Sequence, residues 1–66
     1  MSVIKVVELM ANSPKSWEDA TKNAIARASK SIKNIKSAYV QSQSVRVEKG
    51  KVVEFRVNLK VSFGVK

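Results

Sequence analysis

Val53-Glu54-Phe55-Arg56-Val57-Asn58-Leu59-Lys60-Val61-Ser62-Phe63-Gly64-Val65 alternates without a lapse: every odd position is apolar, while the even ones read Glu, Arg, Asn, Lys, Ser and Gly. A period of two sends the whole apolar set to one side, which predicts a long strand with one face buried and the other polar. Thirteen residues is about twice the usual strand. In so small a domain such a strand runs past its own core, so part of its apolar face is expected to lie against another subunit.

Working outward, Glu48-Lys49-Gly50-Lys51 is a turn signal, because Gly50 accepts the positive φ that a tight hairpin or its bulge requires. The partner strand then covers Ala38 to Val47. Its apolar residues change parity, Ala38 and Val40 on one count and Val45 and Val47 on the other, with Gln41-Ser42-Gln43-Ser44 between. That change predicts a bulge near Ser42 to Ser44. A strand so polar in its middle suits a wet cavity or a sheet edge.

Ser16-Trp17-Glu18-Asp19 starts a helix: a capping serine precedes acids that complement the helix dipole, with Asp19 a shorter substitute for the usual Glu or Gln of a capping box. Trp17, Ala20, Ala24, Ala28, Ile32 and Ile35 recur at spacings of three or four and form one apolar, mostly small stripe. The helix is expected to stop near Asn34 to Ser37, with Lys30, Lys33 and Lys36 opposing the negative end of its dipole. Val3 to Met10 reads as a first strand of about six to eight residues, ended by Ala11-Asn12-Ser13-Pro14 because Pro14 has no N–H for a ladder. The order is β-α-β-β. It predicts an α+β domain over 1–66, with three mainly antiparallel strands against one helix.

The chain has 66 residues, no Cys and no His. Burying about 4,000 Å² of apolar surface supplies about 100 kcal/mol, and ordering the chain costs about the same. Small domains escape that balance through disulfides, metal or association, and neither disulfides nor a zinc cluster of the usual ligands is open to this one. Oligomerisation is what remains. The run Val3-Ile4-Lys5-Val6-Val7 is too short for the apolar region of a signal peptide or for a bilayer span, so a cytoplasmic protein without a membrane role is expected.

Catalysis has little to draw on. The usual general bases and thiol nucleophiles are missing, the adjacent acids Glu18 and Asp19 belong to the helix start, and two glycines make no phosphate loop. A non-enzyme is predicted. The net charge of +8 invites nucleic acid or looser anion binding, but the cations are spread over helix, turn and strands, which disfavours a specific nucleic-acid site. Phe55 and Phe63 belong to the core parity, and Trp17 is placed to staple the helix to the strand before it. Tyr39 shares a strand face with Ser37 and Gln41, where it either offers its ring to a cavity or packs across strands.

This order of elements, the opening Val3-Ile4-Lys5-Val6-Val7-Glu8, the helix entry Ser13-Pro14-Lys15-Ser16-Trp17-Glu18-Asp19-Ala20 and the closing Phe55 to Phe63 segment together resemble the dodecins, over nearly the whole chain. The resemblance implies a hollow homododecamer that stores a small ligand, often a flavin such as FMN or riboflavin, in pockets between subunits. The positions implied for flavin stacking and edge recognition fall at Ser37 and Arg56, where many dodecins have Trp and Gln. Serine has no π-face, which leaves Tyr39 as the substitute stacker, and Arg56 only donates, so it suits a carboxylate or phosphate better than a flavin's mixed edge. The helix entry and the arginine are similar to a dodecin branch described as calcium-binding. Calcium takes six to eight oxygens, and the acids available are Glu8, Glu18, Asp19, Glu48 and Glu54. The expectation is therefore a storage shell holding a flavin, with a calcium-binding or purely structural shell as the alternative and non-specific anion or nucleic-acid binding third.

Overall fold

The structure, a computed structural model, describes residues 3–65. Four elements follow in order: β1 (Val3–Ser13), α1 (Trp17–Ala28), β2 (Ile35–Glu48) and β3 (Lys51–Val65). The alternating segment is the centre of the sheet, whose order is β1-β3-β2, both pairings antiparallel. Its odd positions do face the core. Val57, Leu59 and Val61 are buried together with Ala20 of α1, and Val7, Leu9, Ala11, Trp17, Ala24, Ile25 and Ile35 pack around them.

The helix explains why so few residues are fully buried. Twelve residues give about 18 Å of helix, whereas the molecule is 51 Å long, 19 Å wide and 13 Å thick. α1 lies on β1 and β3. The helix-side row of β2, which includes Val40 and Val45, is only partly covered, and both residues are 38% exposed.

β1 runs three residues beyond the expected Met10, to Ser13, in unbroken register with β3 from Val3↔Val65 to Ser13↔Phe55. Its last residue is held in place by side-chain bonds. Ser13 is buried; its hydroxyl donates to Asp19 Oδ2 at 2.6 Å and accepts from Lys15 N–H at 2.9 Å. Ser16 caps α1 as predicted, accepting from Asp19 N–H at 2.9 Å. The Asp19 carboxylate does not close a capping box; it is occupied by Ser13 and by Asn23 Nδ2 at 3.1 Å.

The helix stops at Ala28, well before the predicted Asn34 to Ser37. Ser29 takes both its N–H and its hydroxyl back to the Ile25 carbonyl, and the next amides bond to Arg27 and Ala28 in a tightening last turn. Asn34, at φ 64°, then reverses the chain, and its carbonyl accepts from Gly64 N–H at 2.9 Å. Ile32 and Ile35 therefore lie outside the helix, and Ile35 begins β2. Arg27 is the cation of the last turn; Lys30, Lys33 and Lys36 follow the helix and are not part of it.

β2 extends the predicted Ala38 to Val47 at both ends. Its main irregularity falls at Gln41, between Val40 and Ser42, just before the expected Ser42 to Ser44, with further shifts at Ile35/Ser37 and Arg46/Val47. The Gln41 step puts Ala38, Val40, Gln43 and Val45 on the helix side despite their mixed parity. Lys49 and Gly50, at φ 53° and 76°, form the two-residue hairpin turn, the pattern of a type I′ turn.

Candidate functional site

The face of the sheet turned away from α1 carries the polar even-numbered residues of β3. Three cross-strand rows define it: Val6, Ser62 and Ser37; Glu8, Lys60 and Tyr39; Met10, Asn58 and Ser42. A fourth brings Asn12, Arg56 and Ser44 together, and beyond it Arg46 sits opposite Glu54. Ser37, Tyr39 and Arg56 thus share one surface.

They do not converge within the chain. Ser37 pairs at Ser62 and Arg56 lies six residues along the same strand, about 20 Å away at strand rise. Any pocket using both positions has to be assembled from more than one copy. Ser37 Oγ is engaged with Ser62 Oγ at 2.6 Å. Tyr39 is 66% exposed beside Lys60, and its ring has no aromatic neighbour among the described residues.

Arg56 is already committed to a carboxylate. Its Nε donates to Glu54 Oε1 at 2.8 Å, while Arg46 Nε approaches the same oxygen at 3.5 Å and also pairs with Glu48. The hydrogen bond from Arg56, with the charges of both arginines, holds the Glu54 carboxyl below its ordinary value. The Glu48 partnership pushes Arg46 up, so its guanidinium stays charged. Arg46 is not among the expected site residues. A two-residue turn at Lys49-Gly50 places it near Glu54 by counting back, and that is the signal the sequence offers.

A hollow of about 310 Å³ opens on this face, lined by Glu8, Leu9, Met10, Gln41, Asn58 and Leu59. Asn58 Nδ2 donates to Ser42 Oγ at 2.9 Å, which leaves its amide oxygen as an acceptor. Among the described residues no ion pair ties Glu8 to its register partner Lys60. Glu8, Gln41 and Asn58 thereby offer oxygens around one space. Among the described residues no three acids gather as a metal cluster within the chain.

Trp17 reaches beyond the strand before it. Its ring meets Phe55 edge to face, with centroids 5.2 Å apart, and Nε1 donates to the Ser44 carbonyl at 3.0 Å. It joins the helix start to β3 and β2, behind the Arg56 row.

A β-α-β-β chain with this sheet order and this polar face has known counterparts. The dodecin family model matches residues 3–66. The chain belongs to the dodecin family. Calcium dodecin of Mycobacterium tuberculosis is 40% identical over 63 residues, 96% of this chain and 89% of that protein. The crystal structure of that calcium-chelating antigen, described as having a novel calcium-binding site, superposes with a TM-score of 0.85 at 39% identity, covering 98% of this chain and 93% of the other. Dodecin from Streptomyces coelicolor superposes with a TM-score of 0.94 at 28% identity over 98% of this chain and 93% of that one. A mutant dodecin of T. thermophilus gives 0.94 at 30%, over 100% and 98%. This dodecin, like its family, is a binding protein and not an enzyme. Among the described residues no helix is long and apolar enough to cross a membrane.

Proposed function

We propose that this dodecin is an oligomeric calcium-binding shell, with the metal held on the polar sheet face at Glu8, supported by the oxygens of Gln41 and Asn58 and completed by a neighbouring copy. The observation that carries this reading is the hollow at these three residues, where Glu8 has no ion-pair partner among the described residues and Asn58 has committed its donor to Ser42. One carboxylate and two amide oxygens are about half of the six to eight oxygens that calcium takes, and a second copy together with water supplies the rest in this reading. The 40% identity to a calcium dodecin supports the choice of metal. The calcium alternative is thereby preferred to the flavin reading. A flavin would find a hydroxyl engaged with Ser62 at position 37 and a guanidinium engaged with Glu54 at position 56. Only the exposed ring of Tyr39 favours it.

The test is thermal melting and calorimetric titration of the full chain with calcium. Millimolar calcium is expected to raise the melting temperature by several degrees, as binding to the folded state alone requires. Glu8→Gln should lose most of that rise. Lys60→Gln, which removes a cation from the adjacent register position, should enlarge it. A rise unchanged in Glu8→Gln would move the site elsewhere, and no calcium effect at all would end the reading. Quenching of FMN fluorescence at micromolar protein would establish the flavin instead.

A further inference from the structure

The charges of this molecule are sorted along its long axis. Glu18, Asp19, Glu48 and Glu54 lie towards the end that carries the hairpin and the start of α1, which the Trp17–Phe55 contact and the Ser13↔Phe55 pair bring together. The fifth acid, Glu8, is mid-strand on the polar sheet face. The opposite end is built from the start of β1, the end of α1, its connection to β2 and the end of β3. The Gly64–Asn34 hydrogen bond and the row Lys5, Phe63, Ile35 hold those segments together.

Among the described residues that end has cationic side chains and no acidic ones. From Ala20 to Val47 the sequence has neither Asp nor Glu, and Arg27, Lys30, Lys33 and Lys36 recur every three residues. All four are exposed, as is Lys5 on the neighbouring strand, and none is in an ion pair among the described residues. The helix dipole accounts for a cation in the last turn, which is Arg27; Lys33 and Lys36 lie beyond its reach. The arginines of the polar sheet face, by contrast, are neutralised by Glu48 and Glu54.

We infer that this acid-free end is a docking surface for the sugar–phosphate backbone of duplex nucleic acid, bound without regard to sequence. Between the cations stand Ser29, Ser31 and Asn34, all exposed, neutral groups of the kind that hydrogen-bond phosphate oxygens. A membrane surface fits less well, because the apolar stripe of α1 is packed on the sheet and an interfacial helix needs that stripe free. No aromatic residue occurs between Trp17 and Tyr39, so the segment has nothing to stack on unpaired bases. Four phosphate contacts per chain predict affinity falling with a log–log salt slope of about −3.6, or about 150-fold between 50 and 200 mM salt.

The experiment is fluorescence anisotropy of labelled DNA duplexes of unrelated sequence with the intact protein, across that salt range. The wild type is expected to bind all duplexes alike with a steep slope. The triple variant Lys30→Gln, Lys33→Gln, Lys36→Gln should bind weakly, with its slope reduced by about 2.7. The charge-matched control Lys15→Gln, Lys22→Gln, Lys51→Gln should keep the slope. Size-exclusion elution identical to wild type establishes that both variants are intact, and duplex binding is compared between variants that meet it. Equal slope changes in the two triples would overturn the assignment, because net charge alone would then account for binding. Absence of duplex binding at the low-salt end, or capture by phosphatidylglycerol vesicles in its place, would overturn it too.

Discussion

Lys49 is the residue whose backbone conformation is least suited to its side chain. It takes φ 53° in the first central position of the hairpin turn, followed by Gly50 at 76°. For an L-residue with a Cβ that region costs about 1–2 kcal/mol, a strain that Asn tolerates better and Gly does not feel. A Cβ at position 50 would meet nothing within 4 Å, so it is the positive φ and not crowding that selects glycine there. Lys49→Asn should therefore stabilise the hairpin by about 0.5 kcal/mol or more and raise the melting temperature by a few degrees. A melt at or below that of the wild type would show that the turn stores no such strain.

At the scale of elements, β2 and β3 are joined near the turn by Glu54, which Arg46 and Arg56 approach from the two strands. Because the folded carboxyl sits below its ordinary value, its contribution to stability is complete above the unfolded value, about 4.3, and is lost as pH falls through the lowered folded value. Denaturant midpoints followed downward from pH 5 should fall in the wild type, and Glu54→Gln should remove part of that fall; superimposable pH profiles would sink the linkage. Elements differ in how openly the chain declares them. β3 is legible because seven apolar residues mark one face, and the turn because of Gly50. The end of α1 is not, since Ile32 and Ile35 continue a helical spacing while serving a loop and a strand. The chain there obeys Ser29, which folds back on Ile25, and the reversal at Asn34. The Gln41 bulge is displaced from its expected place because Gln41 to Ser44 contain no apolar residue to mark a face. Ser37 and Tyr39 share a face as expected, and the register adds Arg56 to it, a relation across strands that no spacing within one strand reveals.

The whole molecule is a 51 Å blade with a core at one part of its length. Val40, Val45, Val47 and Val52 of the hairpin are 38–55% exposed, and Ile4, Val6 and Met10 of β1 are 56–78% exposed on its polar face. Both β1 and β2 are edge strands. Long, exposed, apolar-bearing edges invite pairing with other chains unless something covers them. In a dodecin the simplest cover is further copies of the same blade, and the helix-side row of β2 is an apolar surface that the chain itself covers only in part. Val40→Ser with Val45→Lys should then lower the particle mass measured by light scattering. Because burial and ordering roughly cancel in a lone chain of 66 residues, the released subunits should also melt at markedly lower temperature, and wild-type melting should rise with protein concentration. A variant of unchanged mass and unchanged melting point would show that this row is not buried in the assembly, and that the blade is completed through its edges and polar face alone.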